Sequence, residues 1–307
     1  MTLQQLEYIL AVDKHRHFIK AAESCGITQS TLSTLIRKLE EELDIIIFDR
    51  NSHPVKPTLA GEQIINQAKV VLFHSRQLQE MSLSERKKAS GHIRMGVTPT
   101  IAPYIIPKLF HYIDEIPEVT MQASELHRPQ LIRQLKEADL DMVIMSLPHK
   151  EEGLLEIPLY EEKFYAYVSP DDELWKEESI CSESLNHENM WALKNEICFQ
   201  KQVSGFCDQE SERTSRYESG NIATLLHIVN ENKGFTVVPE LHLPMLRTEH
   251  LKNIRPLVNP VPIREVSLFL RSDYVRESLI NIIVKGIKTI IPQEMLNERI
   301  VKYQVRL

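Results

Sequence analysis

Residues 18–43 constrain the fold more than any other stretch of this chain. Phe18, Ala21, Ala22 and Cys25 recur at helical spacing, and Leu32, Leu35, Ile36, Leu39 and Leu43 do so again a few residues later. Gly26 between them supplies the left-handed backbone that ends a helix, and the hydroxyl of Thr28 suits the start of the next. Two short amphipathic helices joined in this way meet at an angle and bury their stripes together. The outer face of the second reads Ser30, Ser33, Thr34 and Arg37, with Gln29 and Thr31 at its start. Small residues let a helix sit deep in the DNA major groove. Their hydroxyls can bond base edges or phosphates, and an arginine can take a phosphate or a guanine. The pattern predicts a helix-turn-helix; a plain helical hairpin with a polar outer face is the alternative.

The flanks extend this unit. Leu3, Leu6, Ile9 and Leu10 predict a preceding helix over 3–12. Ile45 to Phe48 followed by a Pro-rich polar loop to Pro57 predicts a β-wing, from which Arg50 and Lys56 reach backbone phosphates. An ordinary hairpin with solvated tips is again the alternative. Thr58 caps a long helix from Leu59 to about Ser82. Its stripe of Ile64, Ala68, Val71, Leu72 and Leu78 predicts pairing with a second copy through Ile64, Ala68, Val71 and Leu78. Residues 84–91 are polar and charged and predict a hinge.

Charge does not advertise nucleic acid. The chain carries a formal −7; residues 1–58 hold seven Lys/Arg against eight Asp/Glu. A basic footprint is common in DNA-binding domains, so the DNA reading rests on pattern and placement. No apolar run of 18 residues occurs, so no membrane span is expected. The first 25 residues are charged throughout and lack an apolar signal core, which predicts a cytoplasmic protein with reduced thiols.

From His92 onward the period changes. Ile93, Met95 and Val97 alternate as a strand, 103–116 reads as a helix, 119–124 as a strand, 130–138 as a helix and 142–145 as a buried strand. Further strands are expected at 163–168, 235–238 and 266–270, with a helix near 276–290. Strands alternating with helices predict an α/β domain built on parallel sheet.

Four cysteines remain to be placed. Cys25 lies on an apolar helix face and reads as core, and Cys181 reads as structural. Cys198 and Cys207, taken alone beside Ile197, Phe199 and Phe206, read as buried small hydrophobes. No Cys-x2-Cys pair suggests zinc, and the histidines form no ligand set. No metal and no cofactor are expected.

Taken together, Ala21-Ala22, Gly26-Ile-Thr28-Gln29-Ser30-Thr31-Leu32-Ser33, Leu39 to Leu43, Phe48-Asp49-Arg50, Thr58-Leu-Ala-Gly61 and Gly234 to Pro239 resemble the LysR-type regulators. The resemblance implies an N-terminal winged helix-turn-helix (1–58), a linker helix and hinge (59–90), and an effector domain (91–307) like the periplasmic binding proteins. That effector domain would have two α/β subdomains, one over about 91–161 and 268–307 and one over about 162–267. It also implies operator DNA and RNA polymerase as partners, a dimer through the linker helix, a tetramer, and no enzymatic turnover.

Cys198 to Cys207, with its Gly-Phe-Cys ending, is similar to the redox switch of the peroxide-sensing branch of that family. On that resemblance Cys198 is the peroxide-reactive thiol and Cys207 the resolving thiol, with Thr100 and Arg271 in the peroxide pocket. Arg216 stands where members of that branch carry histidine, and Arg128 where some carry threonine. A regulator gated by a small metabolite between the subdomains is the alternative. A thiol peroxidase is a third reading, but it leaves the helix-turn-helix without a role.

Overall fold

The computed structural model describes residues 1–84, 90–146, 151–185, 189–191 and 221–296. They fall into two compact units, 1–88 with 136–139, and 89–135 with 140–307.

The first unit is a winged helix-turn-helix. α1 (Leu3–His15) opens with a capping box in which the Thr2 hydroxyl and the Gln5 side chain satisfy each other's backbone N–H groups. α2 (Phe18–Ser24) stops in the expected way. Gly26 has φ +68°, its N–H reaches the Glu23 carbonyl, and the Ile27 N–H reaches back to the Ala22 carbonyl, both at 3.1 Å. α3 (Gln29–Leu43) is capped by Thr28, whose hydroxyl accepts from the Thr31 N–H. Leu6, Ile9, Val12, Ala21, Leu32, Ile36, Leu39 and Phe48 form its core.

The wing consists of β1 (Phe48–Asp49) and β2 (Lys56–Pro57), paired antiparallel. It leads into α4 (Leu59–Ser84), 26 residues long. Gly61 lets α4 start against the wing, because a Cβ there would sit 2.0 Å from the Ile47 carbonyl oxygen. The linker stripe is divided. Ile65, Ala68 and Leu72 are buried in the helix-turn-helix core, and Ile64 and Val71 pack at its edge. Of the expected pairing residues, Ala68 is therefore taken up by the chain's own core, whereas Leu78 is 71% exposed.

The second unit is an α/β domain on one curled sheet of order β4-β3-β5-β10-β6-β9-β7, with β8 also on β6. β3 (Gly91–Val97) runs parallel to β4 (Val119–Glu125) and β5 (Met142–Met145), and β7 (Ile180–Cys181) runs parallel to β9 (Ile254–Val258). β10 (Ile263–Arg271) is antiparallel to β5 and β6, and β6 (Leu154–Val168) is antiparallel to β8 (Phe235–Pro239) and β9. The sheet is thus mixed, where the sequence predicted parallel.

β6 was legible only in its second half. Its first half carries Pro158, which cannot donate to a ladder and marks strand irregularities. Here Ser267 pairs with Pro158 while Val266 pairs with Tyr160, so Leu159 bulges out of register. Beyond the bulge the strand alternates cleanly. Phe164, Ala166 and Val168 face one core with Phe235, Val237 and Leu257; Tyr167 faces another with Leu225, Val229 and Val238. The helix Ile222–Glu231, which the sequence reading did not mark, covers that second face.

Candidate nucleic-acid interface and effector site

On α3 the positions predicted to meet DNA do not behave alike. Gln29, Ser30, Thr31, Thr34 and Arg37 are exposed on the outer face, as is Lys56 on the wing. Ser30 and Thr31 also serve the helix start, with hydroxyls 3.0 and 2.8 Å from the Thr28 hydroxyl. Thr34 returns its hydroxyl to the Ser30 carbonyl at 2.9 Å. Arg37 is the long cation of this face.

Arg50 is placed differently from its expectation. It is half-buried, and its guanidinium donates to the Ser33 hydroxyl at 3.0 Å and to Glu40 Oε2 at 2.9 Å. The same group lies over the Phe18 ring, 5.4 Å from the centroid. Glu40 in turn accepts the Ile47 and Phe48 N–H groups on Oε1, at 2.8 and 3.2 Å. The wing arginine is therefore engaged inside the domain.

In the second unit a buried polar cluster forms where β3 turns into α5 (Ala102–Asp114). The Thr98-Pro99-Thr100 turn is pinned by the Thr98 carbonyl, which accepts the Ile101 and Ala102 N–H groups at 3.0 Å. Thr100 is fully buried there. Arg264 on β10, 2% exposed, donates Nη1 to the Thr100 hydroxyl at 3.0 Å and Nη2 to its carbonyl at 3.1 Å. Its Nε and Nη2 also pair with Glu162 Oε1 at 2.8 and 2.7 Å. The Tyr104 hydroxyl bonds Arg264, and Glu162 Oε2 accepts the Leu241 N–H at 3.2 Å.

Electrostatics fix the protonation of two members of this cluster. Burial alone would depress the Arg264 guanidinium, but Glu162 and the tyrosines Tyr104 and Tyr160 outweigh it and hold it above its ordinary range. Burial, reinforced by Glu162, pushes the Tyr160 hydroxyl well above its ordinary range. The Arg264 guanidinium is thus held charged beside Glu162, and the Tyr160 hydroxyl is held neutral. Such a site can donate strong hydrogen bonds to a small polar guest or to a developing negative charge.

Arg271, expected beside Thr100, is elsewhere. It lies seven residues further along β10, about 23 Å at strand rise, and pairs with Asp273 at 2.6 Å. The arginine that meets Thr100 is Arg264. Sequence reasoning passed over it because the strand expected at 266–270 begins two residues after it, whereas β10 starts at Ile263. No local signal marked it: Arg264 stands opposite Glu162 on β6, a register that only the folded sheet sets. Cys198, Cys207, Arg216 and the residues around them lie outside the described residues. Cys25 and Cys181 are both half-buried, and the Cys181 thiol donates to the Asn259 carbonyl at 3.4 Å. Among the described residues no group of His, Cys, Asp and Glu could hold a metal ion, and no helix is long and apolar enough to cross a membrane.

Comparison with known proteins agrees with both units. Residues 3–62 match the bacterial regulatory helix-turn-helix proteins of the lysR family, and residues 86–284 match the LysR substrate binding domain. The DNA-binding transcriptional dual regulator OxyR of Escherichia coli K12 is 32% identical over 273 residues, 88% of this chain and 90% of that protein. The HTH-type transcriptional regulator EstR of Acinetobacter baylyi is 27% identical over 296 residues, 94% of this chain and 97% of that protein. Among solved structures, a full-length OxyR variant from Pseudomonas aeruginosa superposes with a TM-score of 0.78 at 30% identity, covering 94% of this chain and 98% of that one. With a winged helix-turn-helix in its first unit and an α/β effector domain in its second, the chain belongs to the LysR family of DNA-binding transcription regulators, and among its members it is similar to OxyR.

Proposed function

We propose that this regulator senses hydrogen peroxide through Cys198 and Cys207 and passes the signal to its DNA-binding domains. The observation that supports this reading is the buried Thr100–Arg264 pair, a hydroxyl and a guanidinium fixed in a site closed to bulk water. Peroxide attack by a thiol needs donors of this kind. The Cys198 sulfur forms an S–O bond, the O–O bond breaks, and the departing oxygen leaves as water after taking a proton. Arg264 and Thr100 stabilise the charge on that departing oxygen. The Cys207 thiol then attacks the sulfenic sulfur, giving a disulfide and a second water. A dithiol reductant resets the switch by exchange: the Cys198–Cys207 bond breaks to two thiols and the reductant leaves as its own disulfide.

In this reading residues 1–58 bind operator DNA, 59–90 link and pair two copies, and 91–307 sense the oxidant. The protein works in the cytoplasm as a dimer of dimers and acts on RNA polymerase at the promoters it occupies. The disulfide closes a ten-residue loop and biases the chain's alternatives by roughly 2–3 kcal/mol on the chain-entropy model. That is a change of about a hundredfold in a two-state ratio.

Mass spectrometry of the protein after low peroxide tests the reading. A Cys198–Cys207 disulfide is expected in wild type. Cys198→Ser should lose the peroxide response and keep DNA binding, and Cys207→Ser should stop at a trappable sulfenic acid. Absence of that disulfide, with effector-dependent footprints that persist in the double cysteine variant, would leave the metabolite-gated regulator as the reading.

A further inference from the structure

We propose that Arg50 is a positioning residue for DNA recognition: held by Glu40, it orients the Ser33 hydroxyl on the recognition helix as a hydrogen-bond donor toward DNA. The inference rests on the reading that the outer face of α3 enters the major groove.

The argument starts from Glu40. This side chain, 10% exposed, uses both carboxylate oxygens. Oε1 takes the N–H groups of Ile47 and Phe48, which fixes the strand entering the wing against α3. Oε2 takes Arg50, which follows that strand. One carboxylate thereby sets both the backbone that carries Arg50 and the orientation of its guanidinium. The Phe18 ring beneath the guanidinium limits it from a third side. The remaining Nη1 donates to Ser33.

A serine hydroxyl has one proton and two lone pairs. With a lone pair bonded to a guanidinium, the proton must point away from Arg50. It has no acceptor among the described residues. Ser33 lies between Ser30 and Arg37 at i+3 and i−4, so it shares their face of α3. A hydroxyl oriented in this way offers a donor. It suits the acceptor atoms of the bases (guanine O6 and N7, adenine N7, thymine O4) better than the amino groups of cytosine and adenine, which meet a hydroxyl with one lone pair already taken. A charge-assisted bond from arginine also makes the serine proton a better donor.

This assignment differs from a phosphate contact in what it predicts. A cation on a phosphate contributes about 0.9 to the slope of log affinity against log salt, and lysine substitutes for it as a point charge. A fork between Ser33 and Glu40 needs the planar guanidinium, which lysine cannot reproduce.

The test uses full-length protein on two duplexes of equal length, one selected by the wild type from a random pool and one scrambled. Affinities are measured against salt for Arg50→Lys, Arg50→Ala, Glu40→Gln, Ser33→Ala and the Ser33→Ala/Arg50→Lys pair. Arg50→Lys and Glu40→Gln should each lose at least tenfold on the selected duplex and stay within about twofold of wild type on the scrambled one. The salt slope should not change in either. Glu40→Gln is informative because removing an anion near DNA would otherwise raise affinity. The double variant should lose no more than Ser33→Ala alone, since both substitutions remove the same interaction.

Wild-type discrimination by Arg50→Lys, or a slope reduced by about 0.9 in Arg50→Ala, overturns the proposal. Should the Arg50 variants fail to fold, judged by thermal unfolding, Glu40→Gln decides alone by the same readings. Arg37→Ala and Ser30→Ala separate the two levels of the argument. If both keep full discrimination, the α3 face is misassigned and the proposal falls with it; if they lose discrimination while Arg50→Lys keeps it, only the positioning role fails.

Discussion

Arg264 and Thr100, 164 positions apart in sequence, meet at 3.0 Å in the interior of the effector domain. The contact joins the last long strand of the sheet to the turn after its first. Neither residue is reachable by bulk solvent, so whatever bonds to them does so in a low-dielectric site where each donor counts for more.

The first prediction concerns which arginine serves the sensory chemistry. Loss of one fixed donor to a developing charge costs about 100- to 1,000-fold in rate. Arg264→Lys should slow Cys198 oxidation by at least an order of magnitude, and Thr100→Val should slow it by a smaller factor. Arg271→Ala should oxidise at close to the wild-type rate. Stopped-flow peroxide consumption checks all three, and a slow Arg271→Ala with a fast Arg264→Lys would restore the sequence-based assignment.

The second prediction concerns stability. Glu162 and Arg264 form a buried ion pair, and removing one partner leaves the other charged and unpaired. Glu162→Leu should destabilise the effector domain by about 3–5 kcal/mol. The double variant Glu162→Leu/Arg264→Met should recover most of that loss, because no lone charge then remains. Equal destabilisation of single and double variants in urea unfolding would contradict the pairing.

How much of this was legible in the sequence follows from the range of the interactions. The helix-turn-helix is a local object: Gly26, Thr28 and the leucine stripe of α3 act within a few residues, so α2, α3 and their turn were readable directly. The first half of β6 was obscured by Pro158, beside which Leu159 bulges against β10. The Thr100–Arg264 contact depends on strand register, which no local pattern specifies. The internal partners of Arg50 were hidden for a related reason. An arginine in a polar loop reads as solvated unless its acceptors are known, and Glu40 and Ser33 sit 10 and 17 residues upstream.

The third prediction is a pH dependence. Burial lowers the pKa of His242 below its ordinary 6.5, and its Nδ1 has no hydrogen-bond partner among the described residues. The folded state thus holds the ring neutral, while the unfolded chain takes up a proton below about pH 6.5. Stability from this group is complete above that pH and falls as pH drops below it, by up to about 1.4 kcal/mol per unit. His242→Leu should remove that portion of the acid-side loss. Parallel stability–pH curves for wild type and variant between pH 6.5 and 5 would sink the idea.

The last prediction separates folding from pairing along α4. Ala68 is 3% exposed within the helix-turn-helix core, whereas Leu78, ten residues on, is 71% exposed. A residue buried in its own domain cannot serve a seam between copies without exposing that core. Glutamate at position 68 places an uncompensated charge among Leu6, Ile9 and Leu72, which belongs to the class of substitutions that cost more than about 4 kcal/mol. Ala68→Glu should therefore lower the unfolding temperature at every protein concentration and abolish DNA binding with it. Leu78→Glu adds a charge to a surface position and should change single-chain stability by no more than about 0.5 kcal/mol. If α4 pairs two copies, the same substitution sets like charges opposite each other. It should raise the dimer dissociation constant at least tenfold while the fold stays intact. Sedimentation equilibrium and thermal unfolding on the same samples give both readings. A Leu78→Glu protein that remains dimeric at nanomolar concentration would move the interface off this end of the helix, and an Ala68→Glu protein that folds normally but dissociates would return Ala68 to the seam.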